Sequence, residues 1–140
     1  MSRARTFASL AVLGGIAAFV YFIGHGSLKG SLARPPELGA GRFVPKTCSN
    51  GQHDGFFGAQ ILGEDGARLR VTRDATGATL VLYAAAGAMS FAPIAQTGCT
   101  RRRVDVREGS VSANHVPGMD LDLELTCGEL IGSISATKCF

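Results

Sequence analysis

The chain has 140 residues, of which 46% are hydrophobic, 18% are charged and 19 are glycine. This length is typical of one domain, and the glycine content disfavours a helical bundle because glycine costs a helix interior about 1 kcal/mol relative to alanine. The formal net charge is +3, and Arg3 and Arg5 supply most of it, so the rest lacks the strongly basic balance typical of nucleic-acid-binding proteins.

Residues 7–24 form an apolar segment without a charged side chain. As a helix, this segment would be about 27 Å long, close to the roughly 30 Å of a bilayer core. We therefore predict one N-terminal transmembrane helix, which acts as an uncleaved signal anchor within residues 1–26. A cleaved signal peptide is the alternative, although its apolar part is usually only about 7–15 residues long.

The charges flanking the apolar segment predict its orientation. Arg3 and Arg5 precede it, whereas Lys29 and Arg34 follow at greater distance. The positive-inside tendency then places the N-terminus in the cytoplasm. We expect a single-pass protein of the inner (cytoplasmic) membrane, with its C-terminal domain outside the cytoplasm. Cleavage would instead make the domain periplasmic or secreted. The membrane, contacted through residues 7–24, is the one partner that the sequence identifies.

The next segment, residues 27–41, combines glycines with the adjacent Pro35 and Pro36 and has no apolar period. This composition predicts a Gly/Pro-rich tether that holds the domain away from the membrane. Residues 42–140 are then expected to form a disulfide-stapled β domain.

Short alternating segments separated by turn signals predict about eight strands in residues 42–140. They are 56–62, 67–73, 78–84, 88–94, 99–107, 110–116, 119–127 and 130–138. The clearest is 119–127, where Leu121, Leu123 and Leu125 alternate with acidic residues, as in a half-buried strand. The expected fold is mainly β, an antiparallel meander that closes as a sandwich or a barrel.

All four cysteines, Cys48, Cys99, Cys127 and Cys139, follow the apolar segment. An even number in a small exported domain predicts two disulfides. If the last two strands form a hairpin, Cys127 and Cys139 lie about 30 Å apart, too far for a bond. Turns at Gly109 and Gly118 would place Cys99 and Cys139 at the same end of the sheet. The meander therefore predicts the pairs Cys99–Cys139 and Cys48–Cys127.

One charge cluster is a candidate binding surface. Arg101, Arg103 and Arg107 share one face of a predicted strand and suit anionic lipid headgroups or an acidic partner. The alternative is a solvated sheet face, in which these arginines pair across strands with carboxylates. The carboxylates concerned are Asp120, Asp122 and Glu124.

The sequence contains no motif that predicts catalysis, a cofactor or a metal site. The expected function is therefore that of a membrane-tethered extracytoplasmic β domain that acts by binding or assembly with a protein or small-molecule partner. One alternative is a barrel that encloses an apolar ligand. The other is a hydrolase or metal-dependent enzyme that uses His53 and Asp54, with His115 as a third group.

Overall fold

The computed structural model describes residues 26–84, 91–94 and 97–140, and in these residues ten strands form two antiparallel sheets. The strands are β1 (Leu28–Ala33), β2 (Arg42–Phe43), β3 (Pro45–Asn50), β4 (Gly58–Gly63), β5 (Arg68–Asp74), β6 (Gly77–Tyr83), β7 (Phe91–Pro93), β8 (Cys99–Ala113), β9 (Val116–Cys127) and β10 (Leu130–Cys139). Short 3-10 helices cover Pro36–Leu38 and Gly51–Asp54. The predicted membrane segment, residues 7–24, lies outside the described residues. Within the described ranges, no helix has the length and hydrophobicity needed to cross a bilayer.

Each sheet has five strands. Sheet A has the order β2-β1-β10-β9-β8, and sheet B has the order β3-β4-β5-β6-β7. Sheet B is a simple meander, whereas sheet A brings the first strand beside the last one. The predicted mainly β, antiparallel fold is confirmed, and the two sheets are consistent with a β sandwich.

The core lies between the inner faces of the two sheets. Leu121, Leu123 and Leu125 of β9 are buried, as their alternation predicts, and Leu69 and Val71 of β5 join the same cluster. Each buried aliphatic side chain contributes about 1.5–3 kcal/mol. This alternation determines which side chains of each strand are left on the outer faces.

The predicted tether is the first correction. Residues 28–33 form β1 and pair with β10 from Leu28 opposite Ala136 to Ala33 opposite Ile131. A Cβ at Gly30 would overlap the carbonyl oxygen of Ser133. This glycine therefore permits close contact between strands, so residues 28–33 belong to sheet A and not to a tether.

The second correction concerns β8, which runs unbroken through two predicted strands. Glu108 and Gly109, predicted to be a turn, lie inside β8 at a shift of register against β9. The chain instead reverses at Asn114 and His115, whose φ angles are +50° and +65°. Two consecutive residues with positive φ are typical of the type I′ turns that match the twist of a hairpin.

This longer hairpin changes the disulfide pattern. Cys99 and Cys127 lie opposite each other on β8 and β9 and are bonded, with their Cα atoms 3.9 Å apart. Cys48 of sheet B is bonded to Cys139 of sheet A. The two disulfides are confirmed, but the predicted pairs Cys99–Cys139 and Cys48–Cys127 were wrong. The extra turn assumed at Gly109 had placed Cys99 at the wrong end of its sheet.

Two arginines connect the sheets along β8. Arg73 of β5 donates from Nη1 to the carbonyl oxygen of Val106 at 3.1 Å, and Arg102 of β8 donates from Nη2 to that of Ala78 at 2.8 Å. Because each arginine binds the backbone of the opposite sheet, the pair holds β8 against β5 and β6.

Candidate functional site

The predicted arginine surface lies on the outer face of sheet A. Arg101 forms an ion pair with Glu124 at 2.6 Å, and Arg107 contacts Asp105 at 2.6 Å and Asp122 at 3.2 Å. Arg103 lies opposite Glu124 in the register between β8 and β9. Arg101 and Arg107 therefore pair across strands with carboxylates, as the alternative interpretation of this face expected. Their charges are balanced by carboxylates of the same sheet.

The carboxylate at the centre of this network is itself well satisfied. The hydroxyl of Ser135 donates to Asp122 at 2.7 Å. This bond, together with the guanidinium of Arg107, outweighs the effect of burial and holds the pKa of Asp122 below its ordinary value. Arg101 and Arg107 on the outer face of sheet A are thus linked to Glu124, Asp105 and Asp122 by ion pairs.

The three residues of the enzyme alternative occupy exposed loops. His53 and Asp54 lie in the short helix 51–54, and His115 lies in the turn between β8 and β9. In the parts of the chain that the structure describes, no three His, Cys, Asp or Glu side chains are grouped as a metal site would require.

A different cluster stands out on the outer face of sheet B. The guanidinium of Arg70 lies 4.6 Å from the centre of the Phe56 ring and 5.4 Å from that of Tyr83, and Arg68 lies 5.0 Å from Tyr83. Guanidinium groups and rings alternate in the order Phe56, Arg70, Tyr83, Arg68. We call these four residues the arginine–aromatic ladder.

The strands place the ladder through ordinary sheet geometry. Leu69 and Val71 point into the core, so Arg68 and Arg70 point outwards. Arg68 lies opposite Tyr83 in the register of β5 and β6. Arg70 also donates from Nη2 to Oε1 of Gln60 on β4 at 3.2 Å, which orients its guanidinium.

A loop supplies the remaining ring. Phe56 follows the short helix 51–54, and its amide donates to the carbonyl oxygen of Gly51 at 3.1 Å. A Cβ at Gly51 would overlap the Phe56 ring, so the ring packs directly on this glycine. Asn50 caps the helix by accepting from the amide of Gln52 and also donates to Pro117 of β9 at 2.7 Å. The loop is thereby fixed to both sheets.

The ladder carries positive charge that the chain does not balance. All eleven Asp and Glu residues lie within the described ranges. Arg34, Arg101 and Arg107 form ion pairs in these ranges, whereas neither Arg68 nor Arg70 has a carboxylate within ion-pair distance. Beside the ladder, Leu62 is 36% exposed. The surface therefore combines two arginines, two rings and an exposed leucine.

Sequence reasoning offered Arg101, Arg103 and Arg107 as a candidate binding surface and did not single out Arg68 and Arg70. The alternation of 67–73 does predict that Arg68 and Arg70 face solvent. Their aromatic neighbours come from a loop before β4 and from the far end of β6, so no local pattern brings them together.

Comparison with protein-family models, with curated proteins and with solved structures found no match to this chain.

Proposed function

We propose that this chain is an extracytoplasmic β domain, anchored in the inner membrane by residues 7–24, that binds an acidic protein partner through the arginine–aromatic ladder. The observation that carries the proposal is the pair Arg68 and Arg70, held against aromatic rings without a carboxylate partner in the described residues.

Two features support the location. Residues 7–24 have the length and hydrophobicity of a membrane span. The domain beyond them contains two disulfides, Cys48–Cys139 and Cys99–Cys127, and disulfides persist mainly in oxidising compartments.

The composition and spacing of the ladder support an acidic peptide as the partner. Tyrosine, phenylalanine and arginine are enriched at protein interfaces. Arg68 and Arg70 are two residues apart on one strand, a distance of about 7 Å, which is also the spacing of alternate side chains in an extended peptide. Carboxylates at alternate positions could then meet both guanidinium groups, and charge-assisted bonds of this kind are the stronger ones.

The alternatives receive less support. A barrel would enclose its ligand, whereas two separate sheets pack here around buried side chains of β5, β6, β9 and β10. A hydrolase would bring its groups together in a cleft, whereas His53, Asp54 and His115 are exposed.

The test uses the full chain in detergent and a fluorescent peptide of alternating glutamate and threonine. We expect saturable binding that weakens by about tenfold or more in the variant R68Q/R70Q, because two charge-assisted hydrogen-bonding groups are removed. A peptide in which glutamine replaces glutamate should bind at least as weakly. Fluorescence anisotropy measures both affinities.

The matched control is R101Q/R103Q, which removes the same charge from the outer face of sheet A. Its affinity for the acidic peptide should stay within about twofold of the parent, since those side chains lie on the other sheet. Equal losses in the two double variants would mean that net charge alone attracts the peptide. Tighter binding to polygalacturonate than to the peptide would instead identify an acidic polysaccharide as the partner.

A further inference from the structure

Two of the three lysines of the chain, Lys46 and Lys138, lie beside Gly26, the first residue that the structure describes. Lys46 and Lys138 line one groove, together with Gly26, Ser27 and Leu28. Lys29 follows in β1 and lines a neighbouring depression of sheet A, to which Asp122 and Glu124 also contribute. We call this part of the sandwich the lysine end. None of the residues lining the groove is acidic, although Asp120 lies nearby and accepts a hydrogen bond from the backbone amide of Lys138.

The chain is already fixed to the sheet at residue 26. A Cβ at Gly26 would overlap the carbonyl oxygen of Thr137, so this glycine lies directly against β10. Ser27 donates from its amide to Oγ1 of Thr137 at 3.0 Å and accepts from the Thr137 amide at 2.9 Å. Gly26, the first residue that the structure describes, therefore already lies against sheet A, and it is two residues from Gly24, the last residue of the apolar segment.

Covalent geometry then limits the distance between sheet and membrane. Two residues span at most about 7 Å even when fully extended. If residues 7–24 lie in the bilayer, Gly26 lies within about 7 Å of the end of that span. The lysine end must then be at the depth of the lipid headgroups.

We infer that the lysine end rests on the headgroups of anionic phospholipids in the membrane that holds residues 7–24. This inference depends on the anchoring part of the proposed function, and it does not depend on the ladder. It assigns an orientation to the domain: the groove of Lys46 and Lys138 faces the bilayer, and the interaction is electrostatic.

Lys138 lies at an irregularity of β10. Lys138 has a φ angle of +55° and lies where the register of β10 and β9 shifts between Ala136 and Cys139. Such bulges re-aim a side chain away from the regular alternation. The disulfide Cys48–Cys139 joins the segments that carry Lys46 and Lys138, so their backbones hold a constant separation.

The test uses the full chain in lipid nanodiscs of phosphatidylcholine alone or of an equimolar mixture with phosphatidylglycerol. An amine-reactive reagent labels the lysines, and mass spectrometry of peptides reports each labelling rate. We expect labelling of Lys46 and Lys138 to fall by about fivefold or more in the anionic discs. High salt should restore the labelling of both lysines, because salt screens the attraction between lysine side chains and anionic lipid.

A double variant separates a specific contact from general attraction. In K46Q/K138N, where asparagine tolerates the positive φ, protection of Lys29 by anionic lipid should disappear. The control R42Q/R101Q removes the same positive charge from a different part of sheet A, at the level of Ala33 and Ile131. In this control variant, the protection of Lys29 by anionic lipid should persist.

The outcomes distinguish this inference from the proposed function. A chain that enters the nanodiscs but shows equal lysine labelling in both lipids overturns the inference and leaves anchoring intact. A chain that does not enter nanodiscs overturns the anchoring and this inference together. Neither result affects binding of the acidic peptide by the ladder.

Discussion

At the scale of single residues, the ion pair between Arg34 and Asp65 joins two loops. The side chain of Arg34 is 5% exposed, that of Asp65 is 42% exposed, and their nearest atoms are 2.7 Å apart. Partial burial alone raises the pKa of Asp65, but hydrogen bonds from Arg34 and from the Ala67 amide outweigh it and lower the pKa below its ordinary value. Asp65 thus keeps its charge in the folded protein to a lower pH than in the unfolded chain.

The substitution Asp65→Asn should lower the free energy of unfolding at neutral pH by about 1–3 kcal/mol, because it leaves the buried Arg34 without its carboxylate. The contribution is complete above the ordinary pKa of 3.8 and is lost as the pH falls through the lowered pKa of the folded state. The difference between parent and variant should therefore shrink below about pH 4. Urea unfolding at several pH values measures it.

Asp54→Asn is the matched control, since Asp54 is exposed in the loop 51–54. It should change stability by less than about 0.5 kcal/mol at any of these pH values. If both variants behaved alike, the ion pair would contribute nothing measurable.

Much of the inward and outward pattern could be predicted residue by residue. Leu121, Leu123 and Leu125 are buried because period-two alternation is a local property of one strand. The pairing of Arg107 with Asp122, and the stacking of Arg70 on Phe56, depend on register and loop path. Register and loop path are set by contacts between distant parts of the chain. The sequence therefore allowed two interpretations of Arg107 and did not indicate the stacking of Arg70 on Phe56.

At the scale of elements, the hairpin of β8 and β9 depends on a turn of unusual composition. Type I′ turns favour Asn-Gly, because glycine adopts positive φ at little cost. Here His115 occupies the position that glycine usually takes, with a φ angle of +65°.

His115→Gly should therefore raise the free energy of unfolding, by about 0.5–1 kcal/mol, because the relief of strain exceeds the added freedom of the unfolded chain. His115→Ala should lower it, since alanine tolerates this conformation less well. Urea unfolding without reductant compares the two variants with the parent. Stabilisation by alanine would contradict the turn assignment.

Elements with clear alternation were predicted nearly to their ends, as β5 (Arg68–Asp74) and β10 (Leu130–Cys139) show. β1 was missed because its glycine and serine residues resemble those of a linker. β8 was divided because Glu108-Gly109 resembles a turn, whereas the structure accommodates it as a shift of register. Both errors concern glycines that serve a tertiary contact or an irregularity within a strand.

At the scale of the whole molecule, the two disulfides differ in how much of the chain each one constrains. Cys99–Cys127 closes 28 residues of one hairpin, whereas Cys48–Cys139 closes 91 residues and joins the two sheets. Cross-linking stabilises mainly by restricting the unfolded chain, and the effect grows with the length of the closed loop.

Replacing Cys48 and Cys139 together by alanine should cost about 1 kcal/mol more than replacing Cys99 and Cys127 together. Chemical unfolding of the two double variants under identical conditions gives the comparison. Peptide mapping without reduction checks the pairing first, and a linked Cys99–Cys139 peptide would contradict it. Equal costs would show that loop length does not govern their contributions.

The two arginines that bridge the sheets have a further consequence, which concerns solubility. β8 is the outermost strand of sheet A, and a long outermost strand invites another chain to add to the sheet. The Arg73 guanidinium donates a hydrogen bond to the carbonyl oxygen of Val106 on this strand. Arg101 and Arg107 add charge along the same strand, so we expect the run that first suggested binding to hinder the addition of a second chain at this edge.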